Sequence, residues 1–156
     1  CSLATAYIVG IILVAILTST YSPFPGTPAS DCKATCTGGT EDKCCSYTNP
    51  LSEIKDLIQD VSFQSGGEEM HGWWIPGSIP GKGTILYSHG SGTNLAAFYR
   101  QHRYAYLSQD LGFDVFVYDY PGYGKSAGSA SEDSVIQSGR DALQYLGTER
   151  NATAAN

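Results

Sequence analysis

The sequence has little positive charge and no basic cluster. Its 9 Lys and Arg residues are outnumbered by 15 Asp and Glu residues, and the formal net charge is −6. A nucleic-acid-binding protein neutralises phosphates with a basic stripe or patch, which this sequence does not provide. We therefore expect no nucleic acid among its partners.

The sequence also lacks an initiating methionine and has no apolar run near its end. It begins at Cys1 and finishes in a polar stretch at Asn156. The first fifty residues or so do not resemble a globular core, which leaves about a hundred for a folded domain. We therefore expect the sequence to be a fragment of a longer protein.

Charge is absent from the apolar segment near the start of the chain. Residues 3–17 (LATAYIVGIILVAIL) contain no charged side chain, and three neutral hydroxyl residues follow them. A run of about 18 such residues is at the threshold for crossing a bilayer core of ~30 Å. We interpret residues 1–20 as an uncleaved signal anchor, with a cleaved signal peptide or a buried core helix as alternatives.

Residues 21–50 are rich in Pro, Gly, Ser and Thr and are predicted to form a linker. An even number of closely spaced cysteines in this linker favours two disulfides in an oxidising compartment. Zinc is disfavoured because two of the cysteines are adjacent and no histidine is near, and palmitoylation is a further alternative. The candidate disulfide residues are Cys32, Cys36, Cys44 and Cys45.

The location of the folded domain follows from these features. Asn151 begins the glycosylation acceptor pattern N-x-[ST], which agrees with a lumenal compartment. We expect a single-pass membrane protein whose folded domain is lumenal or extracellular. If the signal is cleaved, the protein is instead secreted.

Residues 51–156 have the alternating periodicities of an α/β domain. After a short helix, two amphipathic strands predict an antiparallel hairpin, and two apolar runs that each precede a helix predict buried parallel strands in a βαβα order. The predicted helices are 51–58, 94–111 and one that begins at Ser131; the strands are 60–64, 70–76, 84–88 and 113–118. The residues expected to face the core are Leu95, Phe98, Tyr99, His102, Tyr106 and Leu107 in the second helix, and Val135, Ile136, Gly139, Ala142, Leu143 and Leu146 in the third.

Two glycine-containing loops follow the two apolar strands. The first contains His89-Gly90-Ser91-Gly92, where backbone N–H groups can converge on a negative oxygen or where two glycines simply form a tight turn. The second is residues 119–128 (DYPGYGKSAG). Together they resemble the α/β-hydrolase superfamily over residues 58–147. The resemblance is greatest to membrane-associated hydrolases and serine aminopeptidase-like enzymes with a D-x-x-G-x-G-x-S-x-G loop after the fourth strand.

This resemblance implies the N-terminal half of an α/β-hydrolase sheet, with the Ser, Asp/Glu and His triad beyond Asn156. No catalytic side chain is therefore expected within this fragment. It also implies that a backbone N–H of Ser91, or alternatively of Gly92, stabilises the oxyanion. Structural roles in the site loops are implied for His89, Gly90, Asp119, Gly122, Gly124 and Ser126.

Other interpretations of the same residues are disfavoured. Residues 124–128 match the G-x-S-x-G pattern of a nucleophile elbow, but Ser126 lies about six residues beyond the strand rather than on a sharp strand-to-helix turn. A phosphate-binding P-loop requires glycine where Asp119 stands. A triad of Ser126, His89 and Asp119 would depart from the order of the family. The residues expected to have packing roles are His71, His102, Trp73 and Trp74.

The expected function is that of a serine hydrolase when the protein is of full length. It would cleave an ester, thioester or amide through an acyl-enzyme, with a lipid-like acyl substrate and membrane contact through the N-terminal helix. No metal or cofactor is expected, and this fragment alone is expected to be inactive. The alternative is a non-catalytic, membrane-tethered, hydrolase-like binding or scaffold protein.

Overall fold

A computed structural model describes residues 50–90 and 94–150. In these ranges, no helix has the length and apolar character needed to cross a bilayer. The predicted signal anchor, the cysteines and Asn151 lie outside the described residues, as do Ser91 and Gly92. The described elements are β1 (Gln59–Ser65), β2 (Glu68–Ile75), β3 (Thr84–Tyr87), α1 (Phe98–Ala105), a π-helical turn (Tyr106–Asp110), β4 (Asp114–Tyr118) and α2 (Glu132–Glu149).

The four strands form one mixed sheet in the order β1-β2-β4-β3. Gly66 and Gly67 connect β1 to β2 with φ values of 60° and 85°, a conformation that glycine adopts without strain. The hairpin is antiparallel, β4 runs antiparallel to β2, and β3 runs parallel to β4. The predicted hairpin and the parallel pair after it are therefore confirmed.

Strand β4 separates two hydrophobic clusters on opposite faces of the sheet. Val115 and Val117 pack with Trp73 and Leu95 on one face. On the other face, Phe116 and Tyr118 pack with Ala142 and Leu146 of α2. Because side chains alternate across a strand, a strand that is buried on both faces has a continuous apolar sequence, as predicted for this one.

Strand β3 was predicted to be equally buried, and this prediction is wrong. Each of its four residues is only half-buried. Within the described residues, β3 pairs with β4 on one side and lies at the edge of the sheet on the other. The apolar sequence of β3 therefore predicts more burial than the strand has at this position in the sheet.

The helix predicted for residues 94–111 is shorter, and its buried face is different. The α-helical part is Phe98–Ala105, and the Leu111 N–H then bonds the Tyr106 carbonyl at 2.9 Å in a π-helical turn before Gly112 at φ 76°. Three of the residues predicted to face the core are more than half exposed, namely Phe98, Tyr99 and Tyr106. The buried face instead contains Arg100, Gln101, Tyr104 and Ser108.

Hydrogen bonds explain why this polar face is buried. Gln101 accepts the Leu51 N–H at 2.7 Å and donates to the Ala96 carbonyl at 2.6 Å. The Tyr104 hydroxyl donates to the Leu95 carbonyl at 3.0 Å. A buried polar group whose hydrogen bonds are satisfied avoids the desolvation penalty that otherwise favours apolar residues in the core.

Helix α2 begins where the sequence predicts. Ser131 is the N-cap, its hydroxyl accepts the Ser134 N–H at 3.1 Å, and the Ser134 hydroxyl accepts the Ser131 N–H at 2.9 Å. This reciprocal capping box satisfies two N–H groups that lack partners within the helix. The buried residues are Ser138, Ala142 and Leu146, whereas the predicted core residues Ile136 and Leu143 are exposed.

Candidate functional site

Two loops meet at the carboxyl ends of β3 and β4. The first loop, whose described residues are 88–90 and 94–97, lies between β3 and α1, and the second loop, residues 119–131, connects β4 to α2. Because β3 and β4 are parallel neighbours, both loops leave the same edge of the sheet, where α/β folds place their ligand sites. This edge contains all the described residues for which the sequence predicted site roles.

The carboxylate of Asp119 joins the two loops. Its side chain is fully buried, Oδ1 accepts the Leu95 N–H at 2.8 Å, and Oδ2 accepts the Lys125 N–H at 3.3 Å. Burial raises the pKa of Asp119 to about 7, although the two backbone N–H bonds and the charge of Lys125 act in the opposite direction. Asp119 therefore bridges the two loops, and its carboxyl group titrates near neutral pH.

His89 lies directly beside this carboxyl group and is also buried. Its Nε2 is 3.5 Å from Asp119 Oδ1, and its Nδ1 is 2.8 Å from the Gly90 carbonyl oxygen. Burial lowers the pKa of His89 to about 4, the carbonyl of Gly90 opposes this shift, and the charge of Arg100 reinforces it. The imidazole is consequently neutral at pH 7.

Aromatic contacts orient His89 within the first loop. Its ring centroid is 4.4 Å from that of Tyr120, and the Tyr120 hydroxyl donates to the His89 carbonyl at 2.6 Å. Tyr123 contacts the same imidazole at a centroid distance of 5.8 Å. The ring of His89 is therefore enclosed between the two loops.

Ser126 is buried, and its hydroxyl is engaged in both directions. Its Oγ donates to the Asp119 carbonyl at 2.6 Å and accepts the His71 N–H at 2.9 Å. Ser126 thus contacts the main chain of Asp119 rather than its carboxylate, and α2 begins only at Glu132. These contacts join the second loop to β2, whereas a nucleophile requires an exposed hydroxyl on a strand-to-helix turn.

The glycines of the second loop permit its backbone conformation. Gly122 and Gly124 have φ values of 75° and 48°, in the region that residues with a Cβ rarely adopt. A Cβ on Gly122 would also lie 3.1 Å from the Ala130 N atom. Gly90 differs, because the atom nearest to an added Cβ would be Arg100 Nη2, at the ordinary contact distance of 3.8 Å.

Arg100 is a site residue that the sequence analysis missed. Its guanidinium donates from Nη1 to the Asn94 carbonyl at 2.5 Å and from Nη2 to the Gly90 carbonyl at 2.8 Å. The spacing of four between Arg100, Tyr104 and Ser108 was the available signal, since it defines one face of a helix. Apolar periodicity does not identify this face, because its members are polar and the neighbouring face is aromatic.

The side chain of His71 lies between the buried Asp119 and the exposed Asp60. His71 Nε2 lies 2.6 Å from Asp60 Oδ1, and His71 Nδ1 lies 3.9 Å from Asp119 Oδ2. Asp60 also accepts the Trp73 indole N–H at 3.2 Å. Burial lowers the pKa of His71, and its hydrogen bond with Asp60 opposes that effect. His71 therefore has polar contacts beyond the packing role expected from the sequence.

No group of three His, Cys, Asp or Glu side chains within residues 50–90 and 94–150 is arranged to hold a metal ion. The two residues predicted to supply oxyanion N–H groups, Ser91 and Gly92, lie outside the described residues. The nearest described residues on either side of residues 91–93 are Gly90 and Asn94, and the carbonyls of both accept hydrogen bonds from Arg100.

Comparison with known proteins relates the chain to hydrolases. No protein-family model matches the chain. The α/β hydrolase domain-containing protein WAV2 of Arabidopsis thaliana is 30% identical over 103 residues, covering 65% of this chain and 33% of WAV2. The uncharacterized protein YfhR of Escherichia coli K12 is 31% identical over 93 residues, covering 56% of this chain and 32% of YfhR. The chain thus spans about a third of the length of these curated relatives.

Solved structures show the same architecture. An α/β hydrolase from Vibrio vulnificus superposes with a TM-score of 0.58 at 18% identity, covering 87% of this chain and 50% of the other. The esterase Pf2001 of Pyrococcus furiosus superposes with a TM-score of 0.52 at 25% identity, covering 60% of this chain and 38% of the esterase. The chain therefore has the α/β-hydrolase fold, as the sequence resemblance implied.

Proposed function

We propose that the full-length protein is a serine hydrolase that cleaves an ester, thioester or amide through an acyl-enzyme. The observation that supports this most strongly is the joining of the His89-Gly90 loop to the second loop by Asp119, at the carboxyl ends of two parallel strands. The structural similarity to the esterase of Pyrococcus furiosus supports the same reaction class.

In the proposed mechanism, a serine beyond Asn156 attacks the substrate carbonyl while a histidine from the same region accepts its proton. The resulting oxyanion is stabilised by a backbone N–H of Ser91 or Gly92 and by the N–H next to the nucleophile. The histidine then donates its proton to the leaving group, which departs and leaves the acyl-enzyme. In the second half, the histidine accepts a proton from the water that attacks the acyl carbon, and it returns this proton to the serine as the acid is released. His89 is not assigned as this base, because it is buried and its pKa is about 4.

The proposed substrate has an apolar, lipid-like acyl group. This proposal depends on the apolar run at residues 3–17, which as a signal anchor would hold the domain beside a bilayer on its lumenal or extracellular side. The non-catalytic alternative retains the fold and the membrane anchor but lacks a reactive serine.

Labelling of the full-length protein with a fluorophosphonate tests the proposal. We expect covalent labelling of the folded wild type, none after heat denaturation, and retained labelling in a Ser126→Ala variant. Hydrolysis of p-nitrophenyl esters of increasing chain length would then measure the acyl preference. A folded wild type that neither reacts with the probe nor hydrolyses any ester would refute the serine hydrolase and favour the scaffold alternative.

A further inference from the structure

The buried carboxyl group of Asp119 has an imidazole beside each of its oxygens. His71 Nδ1 lies 3.9 Å from Asp119 Oδ2, and His89 Nε2 lies 3.5 Å from Asp119 Oδ1. The side chains of Asp119 and His89 have no exposed surface, whereas 15% of the His71 side chain is exposed. Of these two imidazoles, His71 is therefore the one that connects Asp119 with the surface of the protein.

The outer edge of the His71 ring faces Asp60. His71 Nε2 lies 2.6 Å from Asp60 Oδ1, and 64% of the Asp60 side chain is exposed. The same oxygen accepts the indole N–H of Trp73 at 3.2 Å, from a group that can only donate. Because this oxygen is an acceptor, neutral His71 has its hydrogen on Nε2 and a lone pair on Nδ1. The lone pair is thus on the side of the ring that faces Asp119.

The surroundings of His89 do not offer a proton the same route. The Gly90 carbonyl oxygen lies 2.8 Å from His89 Nδ1, and Arg100 Nη1 lies 3.2 Å from the same nitrogen. A guanidinium has no acceptor, and its positive charge disfavours a second cation on the imidazole. The carboxylate of Asp60 has the opposite effect on His71. A proton that leaves Asp119 is therefore directed to His71 rather than to His89.

Charged and titratable groups surround this path on every element that packs against it. They are Asp60 in β1, Glu69 and His71 in β2, His89 in the first loop, Arg100 in α1, and Asp119, Tyr120, Tyr123 and Lys125 in the second loop. Asp60 and Glu69 favour a positive charge on His71, and Lys125 opposes it. The balance of these charges favours the brief uptake of a proton by His71.

We propose that His71 and Asp60 form a proton relay, which connects the buried Asp119 to solvent and allows the link between the two loops to follow the pH. In the outward direction, the Asp119 Oδ2–H bond breaks and the proton binds His71 Nδ1, while the His71 Nε2–H bond breaks and that proton binds Asp60 Oδ1. Asp60 then releases its proton to water, and uptake by Asp119 is the reverse. The ring and the Asp119 carboxyl group approach each other by about 1 Å in this step, because 3.9 Å exceeds the length of a hydrogen bond.

The protonation state of Asp119 matters because its carboxyl group joins the loops. Oδ1 accepts the Leu95 N–H at 2.8 Å, and Oδ2 accepts the Lys125 N–H at 3.3 Å. Hydrogen bonds to a charged acceptor are shorter and roughly twice as strong as those to a neutral one. Loss of the proton therefore strengthens both bonds, although burial of the charge opposes ionisation. This inference does not depend on the proposed hydrolase function.

The test measures proton exchange at Asp119 in the full-length protein. Aspartate labelled with 13C at Cγ gives one carboxyl signal per residue, and the signal that Asp119→Asn removes is that of Asp119. Its line shape and relaxation dispersion at the midpoint of its titration give the exchange rate. Asp60→Asn keeps the shape and an acceptor oxygen for His71, but an amide oxygen does not take up the proton. His71→Phe interrupts the same path at the ring.

The matched control is Glu69→Gln. Glu69 is exposed and acts on His71 by its charge, so this variant removes the same charge without interrupting the path. Because the Asp60 side chain is mostly exposed, Asp60→Asn keeps the test available if His71→Phe does not fold.

We expect the exchange rate at Asp119 to fall about 100-fold in Asp60→Asn and in His71→Phe, since a positioned proton-transfer group typically contributes this much. Glu69→Gln should stay within about twofold of wild type, because an exposed charge has only a small effect through solvent. In wild type, the amide proton signal of Leu95 should titrate with the same midpoint as the Asp119 carboxyl signal, because its acceptor changes from neutral to charged.

Each other outcome overturns a defined part of the inference. Unchanged exchange in both path variants shows that Asp119 reaches solvent by local opening, and equal slowing in Glu69→Gln shows an effect of charge alone; either refutes the relay. Slowing in His71→Phe but not in Asp60→Asn refutes the role of Asp60. A Leu95 amide signal that does not follow Asp119, or an Asp119 carboxyl signal that does not titrate, refutes the response of the link to pH.

Discussion

Replacing Asp119 with asparagine should change stability in opposite directions at low and high pH. Asp119 is fully buried and accepts two backbone N–H bonds, from Leu95 and Lys125. Asparagine is similar in shape but has one acceptor oxygen, so its NH2 group must face one of these donors. The lost hydrogen bond and the unsatisfied donor should cost about 1–3 kcal/mol at every pH.

The pH-dependent part of the effect has a defined sign. Burial raises the pKa of Asp119 from its ordinary 3.8 to about 7. Between these two values the folded protein retains a proton that the unfolded chain has lost, so the contribution of Asp119 to stability is full below about pH 4 and is lost as the pH rises to 7. A difference of about three pH units, at about 1.36 kcal/mol each, corresponds to a loss of about 4 kcal/mol. Asparagine does not titrate and avoids this loss.

Wild type has already lost about 1 kcal/mol of this contribution at pH 4.5, so we expect Asp119→Asn to be less stable than wild type by up to about 2 kcal/mol near pH 4.5 and more stable by about 1–3 kcal/mol near pH 8. Urea unfolding, followed by the fluorescence of the buried Trp73 and Trp74, measures both proteins across this range. Ser126→Ala is the matched control, because it removes a group from the same cluster that does not titrate, so its effect should not vary with pH.

One result would refute the reasoning directly. If Asp119 were ionised in the folded protein as the partner of a protonated His89, whose Nε2 is 3.5 Å away, asparagine would cost more as Asp119 ionises, not less. A stability deficit that stays constant or grows between pH 4.5 and pH 8 would therefore show that burial does not dominate the titration of Asp119.

Three further predictions follow from the contacts of individual residues. Ser126→Ala should destabilise the protein by about 1–3 kcal/mol in urea unfolding, because the His71 N–H and the Asp119 carbonyl both lose their partner. Gly77→Ala should lower the melting temperature, since its Cβ would lie 2.4 Å from a backbone oxygen, whereas Gly147→Ala in open space on α2 should add about 1 kcal/mol; equal effects would contradict the packing. The imidazole nitrogen signals of His89 should keep the NMR shifts of a neutral ring between pH 8 and pH 5.5, because its pKa is about 4, and conversion to the imidazolium pattern with a midpoint near 6.5 would contradict its burial.

Local features of the fold could be predicted from the sequence alone. The alternation of residues in β1 and β2, the glycine turn between them and the apolar run of β4 led to the observed sheet elements. The start of α2 was also predicted, because a serine N-cap is recognised by residues only three positions away. Each of these features depends on the backbone preferences and spacing of near neighbours.

The identity of the buried polar residues could be decided only by tertiary structure. The sequence placed Phe98, Tyr99 and Tyr106 on the buried face of the helix predicted for residues 94–111. The fold instead buries Arg100 and Gln101. Gln101 is satisfied by the Leu51 N–H, fifty positions away, and Asp119 by the Leu95 N–H, twenty-four positions away. A polar side chain is stable in the core when such distant partners offset its desolvation, and helical periodicity contains no information about them.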